Sequence, residues 1–119
     1  MTICKRDGND VEKIAQDCFK KSKEKGANVF RYTDHARDRM VERNIDSKEL
    51  EEIINYGSFV DGAERFHEDE NDYTYVIRNK NVDDRDLAIC LGIKTNKDGE
   101  YVVVVTVMCI DPQSGKFYD

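Results

Sequence analysis

The chain has 119 residues, the usual length of a single domain, and 37% of them are charged. Its 19 Lys and Arg against 25 Asp and Glu give a formal net charge of -6, which counts against a nucleic-acid substrate without excluding one. No segment approaches the ~20 apolar residues of a membrane helix and the first residues lack the apolar stretch of a secretory signal, so we expect a cytoplasmic protein without membrane contact.

Three amphipathic helices are predicted in the first half of the chain, where apolar residues recur at helical spacing. The first helix is predicted at about residues 11–25. The second spans residues 34–43, with Thr33 or Asp34 as the residue that caps its N-terminus. The third follows almost at once, and Asp46 has the spacing of a capping residue at its start.

The second half of the chain has the alternating apolar pattern of strands. Strands are predicted at residues 73–78, 87–94 and 101–110, and a short edge strand at residues 58–61. Residues 96–99 are typical of a hairpin turn between the last two strands. The short connections leave no room for crossover helices. The sequence therefore predicts an α+β domain, in which three N-terminal helices pack on a mainly antiparallel sheet of about four strands.

Metal and cofactor sites are not indicated by the cysteines, histidines or glycines. The four cysteines are Cys4, Cys18, Cys90 and Cys109; none is in a C-x-x-C pair, and only two histidines could join them in a zinc site. No glycine-rich loop that could bind phosphate is present either. We therefore predict free thiols, no metal and no cofactor.

The most distinctive segment of the sequence surrounds His35. On a helix that turns ~100° per residue, His35, Arg39 and Arg43 lie within one sector of ~80°. An imidazole can take or give a proton near neutral pH, and guanidinium groups bind phosphate oxygens. These groups suit metal-free cleavage of RNA. The alternative is that the two arginines form surface ion pairs with their acidic neighbours Asp38, Glu42 and Asp46, each of which would stabilise the fold very little.

A family resemblance is carried by this same segment. The motif His35-Ala36-Arg37-x-Arg39-Met40-x-x-Arg43-x-Ile45, followed by an acidic helix that ends near Gly57, resembles the domain-of-unknown-function 4258 family. That family in turn resembles the RelE- and barnase-like ribonuclease toxins. The resemblance implies a single domain at residues 1–119, with an N-terminal helix extension at residues 1–28 and a RelE/barnase-like core at residues 30–110.

Site residues follow from the resemblance as expectations. It implies that His35 is the proton-transfer residue and that Arg39 and Arg43 are phosphate ligands. It also points to groups on the sheet face and near the C-terminus, for which the candidates here are Arg78, Thr106 and Tyr118. Of these three, we include Arg78 in the predicted catalytic site.

Two functions are consistent with these features. The first is a metal-independent ribonuclease-like domain with RNA as its substrate, such as the toxin of a toxin–antitoxin system. The second is a non-catalytic protein-binding module of a phage or other mobile element. In the second case, the acidic segment from Asp61 to Asp72 would dock on a basic partner, either an antitoxin or a host protein. Six carboxylates against one arginine in residues 58–72 give -5 of the net charge, and His67 is interpreted as part of this solvated loop.

Overall fold

The computed structural model describes residues 5–79, 87–110, 114 and 116–118, and within them the architecture is α+β, as predicted. The elements in chain order are α1 (Gly8–Lys25), β1 (Phe30–Tyr32), α2 (Asp34–Glu42), α3 (Ser47–Tyr56), β2 (Ser58–Phe59), β3 (Arg65–His67), β4 (Asp72–Arg78), β5 (Leu87–Asn96), β6 (Gly99–Ile110) and β7 (Phe117–Tyr118). None of the helices in this part of the chain is long and apolar enough to cross a membrane.

The sheet corrects the prediction of about four mainly antiparallel strands. Its described part has seven strands in the order β1-β6-β5-β4-β2, with β3 also paired to β4 and β7 to β6. The sheet is mixed, because β1 runs parallel to β6 with Phe30 opposite Val102. The three helices also do not form one block before the sheet, since β1 lies between α1 and α2. The short edge strand predicted at residues 58–61 is observed as β2, whereas β3 and β7 were not predicted, because two or three residues carry little alternation.

Side-chain caps determine where the helices begin. The Asp7 carboxylate accepts a hydrogen bond from the backbone N–H of Asp10 at 2.9 Å, so α1 begins at Gly8 rather than at about residue 11. Thr33, one of the two residues predicted to cap α2, is its cap, and Asp46 caps α3 as predicted. The caps of α2 and α3 are therefore confirmed as local signals.

The main core lies between the helices and one face of the sheet. Residues from α1, α3 and the three long strands are almost fully buried there: Val11, Ala15, Leu50, Ile53, Ile54, Tyr75, Ile77, Ile89, Leu91, Val102 and Val104. Burial of a side chain such as Leu50 contributes about 1.5–3 kcal/mol. The apolar face of α1 thus packs into the same core as α3 and the sheet.

The opposite face of the sheet is covered at one end by a second, smaller cluster. Val76, Ala88 and Ile110 are buried there, and Val60 and Phe117 pack against them. This second cluster lies on the sheet face opposite the helices, near the start of β5.

Candidate functional site

α2 lies beside the stretch of β6 that extends beyond β1. The backbone pairing of β1 ends opposite Val104. Beyond it, the Thr33 hydroxyl donates a hydrogen bond to the carbonyl oxygen of Val105 at 2.8 Å. Arg43 Nη1 donates to the carbonyl oxygen of Val107 at 3.0 Å. Side chains at the two ends of α2 thus bind carbonyls that a further strand would otherwise pair. The sector of α2 that carries Arg43 therefore faces the edge of β6.

The three residues predicted on α2 have different surroundings. His35 is exposed in the first turn of the helix. Arg39 Nη1 forms an ion pair with Glu42 Oε2 at 2.6 Å, and the Arg39 side chain is 27% exposed. Arg43 is half-buried at the C-cap of α2 and is held by the backbone of β6. The alternative of a surface ion pair therefore applies to Arg39 and Glu42, whereas Arg43 joins the helix to the sheet.

Arg78 stands on β4, across the sheet from α2. Strand register pairs Arg78 with Ala88, and Ala88 with Met108, so that one transverse row crosses β4, β5 and β6. Neighbouring strands are about 4.8 Å apart, which separates the backbones of β4 and β6 by about 10 Å. Arg43 contacts Val107, the residue next to Met108. Arg43 and Arg78 thus stand at opposite ends of one row.

The two lesser candidates lie on or near β6. Thr106 pairs with Cys90 across a β-bulge and is 8% exposed, which makes it a largely buried residue. The backbone of Tyr118 pairs with Cys109 in β7, while its side chain lies outside the described residues. These positions give no further support to a catalytic role for Thr106.

Polar side chains around β3 and β4 form contacts that the sequence did not predict. His67 belongs to β3 rather than to a loop, and its Nε2 lies 2.9 Å from Thr74 Oγ1. Lys94 Nζ lies 3.1 Å from Glu70 Oε2 and 3.2 Å from Asp72 Oδ2. Burial lowers the pKa of the Lys94 ammonium, but these two hydrogen bonds outweigh it and the pKa is raised. The polar–apolar–polar pattern of β3 was the available signal.

A cavity of about 200 Å³ lies between α1, β1 and the start of α3. Its walls include Phe19, Phe30 and Tyr32, whose rings pack edge to face with centroids 5.1 Å and 5.6 Å apart along the series. Burial raises the pKa of the Tyr32 hydroxyl, and Arg37 partly offsets this shift. Pockets for drug-sized ligands usually measure ~300 Å³ or more. We therefore place the candidate site at α2 and β6 instead.

The cysteines in the described part of the chain are free thiols. They are Cys18, Cys90 and Cys109, while Cys4 lies outside the described residues. Burial is the main cause that raises the pKa of the Cys18 thiol, so that it is poorly suited to act as a nucleophile. Among the residues that the structure describes, no three His, Cys, Asp or Glu side chains are grouped so that they could hold a metal ion.

Arg43→Met should lower the free energy of unfolding by about 1–3 kcal/mol, because the Val107 carbonyl loses a charged donor. Urea titration followed by circular dichroism measures this change. Arg37→Met is the matched control, since Arg37 is an exposed arginine of the same helix and its loss should change stability by less than about 0.5 kcal/mol. Equal urea midpoints for the two variants would contradict the role of Arg43.

Comparison with known families gives one match. A family model described as "Domain of unknown function (DUF4258)" matches residues 32–111, which are 80 of the 119 residues. The matched range begins at the end of β1 and includes α2, α3 and β2 to β6. The comparisons with curated proteins and with solved structures found no match. The resemblance to RelE- and barnase-like ribonucleases therefore stays a prediction.

Proposed function

The chain belongs to the DUF4258 family, a domain family of unknown function, and from this premise we propose that it is a ribonuclease-like domain that cleaves RNA without a metal ion. One observation carries the proposal. The sector of α2 that holds Arg43 faces the edge of β6, and the exposed His35 belongs to the same sector. An acid–base group and cationic groups thus belong to the helix that borders this edge of the sheet.

His35 acts in this proposal as the proton-transfer residue. Its imidazole takes the proton of a ribose 2′-hydroxyl, and the 2′-oxygen attacks the adjacent phosphorus. The bond from phosphorus to the 5′-oxygen of the next nucleotide breaks, and the imidazolium returns a proton to that oxygen. The products are a 2′,3′-cyclic phosphate and a free 5′-hydroxyl. Each step balances without a metal ion or a redox partner.

Arg39 binds the reacting phosphate. A guanidinium offers paired N–H donors to phosphate oxygens and offsets the charge that develops on them. In the structure this group is paired with Glu42, whose side chain is 59% exposed. Ion pairs with that much solvent contact contribute only about 0–1 kcal/mol. A phosphate dianion or a diester can therefore displace the Glu42 carboxylate from Arg39 at little cost.

Arg43 and Arg78 have supporting roles in this proposal, since neither binds the reacting phosphate directly. Arg43 binds Val107, so it holds α2 at the orientation that directs the sector toward β6. It also adds positive charge beside the phosphate. Arg78 shares its row with Ala88 and Met108, which pack on the sheet face opposite the helices, so in this proposal it binds a neighbouring phosphate of the RNA rather than the reacting one.

The acidity of the protein is compatible with an RNA substrate at this edge. Residues 58–72 carry -5 of the formal charge and lie on β2, β3 and the start of β4, at the other side of the sheet. β3 is three strand positions from β6, or about 14 Å. The Debye length at physiological salt is ~8 Å, so screening weakens the repulsion at α2.

Incubation of the purified chain with a labelled RNA of mixed sequence in the presence of EDTA should produce fragments that end in 2′,3′-cyclic phosphate. The same sequence made as DNA should stay intact, because it has no 2′-hydroxyl to act as the nucleophile. Mass spectrometry of the products identifies the termini. Intact RNA after prolonged incubation, or cleavage of the DNA at the same rate, would overturn the proposal.

A further inference from the structure

The outer edge of β3 is a second exposed surface, distinct from the site at α2. We propose that it accepts a basic, extended peptide segment of a partner protein as an added strand. β3 pairs with β4 on one side, and in the described part of the chain no strand pairs with the other side. All three β3 residues are exposed. This inference goes beyond RNA cleavage, since it uses the edge of the sheet away from α2.

An unpaired strand edge presents backbone donors and acceptors to any extended chain that reaches it. Addition of a strand to such an edge is a common mode of peptide recognition, in which main-chain hydrogen bonds supply affinity and side-chain contacts supply specificity. All three residues of β3 are exposed, so the helices do not shield it. The backbone of β3 therefore provides the general part of the recognition.

An aromatic row beginning at Phe66 gives this edge a side-chain contact surface. The Phe66 ring lies 5.1 Å from that of Tyr73 by centroid distance, and Tyr73 lies 6.2 Å from Tyr75 in the core. Phe66 is nevertheless 40% exposed, and of the large exposed apolar residues Val41, Tyr56 and Phe66 in the described chain it alone lies in a strand. A ring face exposed in this way can contact an aliphatic stem or a cationic head group.

The charged side chains near β3 indicate which charge the partner carries. Three carboxylates are already paired with lysines inside the molecule: Glu64 with Lys5 at 2.7 Å, and Glu70 and Asp72 with Lys94 at 3.1 Å and 3.2 Å. Glu68 and Asp69 are exposed in the turn that joins β3 to β4, and Asp61 is exposed before β3. An incoming lysine or arginine side chain would meet these three carboxylates.

A basic segment fits this edge better than a second copy of the chain does. Two copies paired through β3 would bring two segments of charge -5 together, and like charges so placed repel. A peptide with alternating cationic and apolar residues would instead place one set of side chains near Phe66 and the carboxylates. The inferred partner is therefore a basic extended segment of another protein.

The direct test uses a fluorescent peptide of four Lys-Val repeats and the full chain. Fluorescence anisotropy should show saturable binding that weakens as salt is raised, and hydrogen exchange of the β3 amides should slow on binding. Two further peptides carry a methyl group on every second backbone nitrogen, one on the odd-numbered and one on the even-numbered residues. One of the two should bind about tenfold or more weakly, because its methyl groups block the hydrogen bonds to β3. A peptide of Glu-Val repeats should not bind.

Variants of the chain locate the binding surface. Phe66→Ala and the double variant Glu68→Lys/Asp69→Lys should each weaken peptide binding about tenfold or more. The matched controls are Tyr56→Ala, which removes an aromatic ring that is 73% exposed, and Glu24→Lys/Glu52→Lys, which reverses two exposed helix carboxylates. Both should leave the affinity within about twofold, since these residues are remote from β3.

Several outcomes would overturn the inference. Absence of peptide binding would do so, as would equal binding of the two methylated peptides. Loss of affinity in the control variants to the same extent as in the β3 variants would also count against it. If sedimentation showed instead that two copies associate and that Phe66→Ala separates them, the edge would be a self-association surface. RNA cleavage by the chain does not enter any of these readouts.

Discussion

His35→Ala is expected to lower the rate of RNA cleavage by about 10²- to 10⁴-fold, which is the usual contribution of a positioned acid–base group. The loss should appear in kcat, because the imidazole acts on the proton in transit rather than on binding of the RNA. His35 is exposed, and substitutions at exposed positions usually change stability by less than about 0.5 kcal/mol, so the urea midpoint should change little. Cleavage rates measured in EDTA over a range of RNA concentrations separate kcat from KM.

His67→Ala provides the matched control for this measurement. It removes the only other histidine of the chain, which is also exposed and lies on β3 at the far side of the sheet. Its replacement should leave the cleavage rate within about twofold. If His67→Ala abolished cleavage while His35→Ala retained it, the proton-transfer residue would be His67 and the proposed site at α2 would be wrong.

Gly57→Ala is expected to destabilise the fold by about 3 kcal/mol or more. Gly57 ends α3, and its backbone N–H donates to the carbonyl oxygen of Ile53 at 2.8 Å. A Cβ at this position would collide with that oxygen and would lie 2.5 Å from the carbonyl oxygen of Arg78. Both obstacles are backbone atoms, so relief requires that the chain at Gly57 shift away from both the last turn of α3 and β4. Such a loss is a large part of the ~5–15 kcal/mol that stabilises a domain.

Gly92→Ala is the matched control for the stability measurement. A Cβ at Gly92 would find its nearest neighbours at 3.8 Å and 3.9 Å, which are ordinary contact distances. The free energy of unfolding should therefore change by less than about 1 kcal/mol. Any change should be in favour of the alanine variant, because glycine weakens a strand. Similar midpoints for Gly57→Ala and Gly92→Ala would show that α3 and β4 separate easily, contrary to the close packing at Gly57.

Much of the local structure could be predicted because its signals act over a few residues. The cap at Asp46 places a carboxylate within reach of the Glu49 N–H, three residues on, whatever the rest of the chain does. The hairpin between β5 and β6 has Asn96 opposite Gly99, as its turn sequence indicates, and Gly99 adopts a φ of 121° that favours glycine. These features need no knowledge of distant residues.

The candidate site could be predicted only in part. The common sector of His35, Arg39 and Arg43 follows from helix geometry, but the binding of Arg43 to Val107 joins residues that are 64 positions apart. The position of His67 was also not predictable, because its acidic neighbours are typical of a solvated loop. Its place in β3 depends on pairing with Asp72 and β4. The role of Arg43 therefore depended on a partner remote in sequence, and that of His67 on the formation of a hairpin.

The amino-acid sequence by itself determined the α+β class, the caps of α2 and α3, and the antiparallel hairpin of β5 and β6, because short-range sterics and hydrogen bonds decide these features. Only the tertiary structure decided that β1 joins β6 in parallel, that β3 pairs with the outer side of β4, and that side chains at the ends of α2 bind two carbonyls of β6. The physical reason is that the pattern of a three-residue strand is too short to specify the strand with which it pairs. Such a strand pairs with whichever backbone edge is still unpaired after the larger elements have packed.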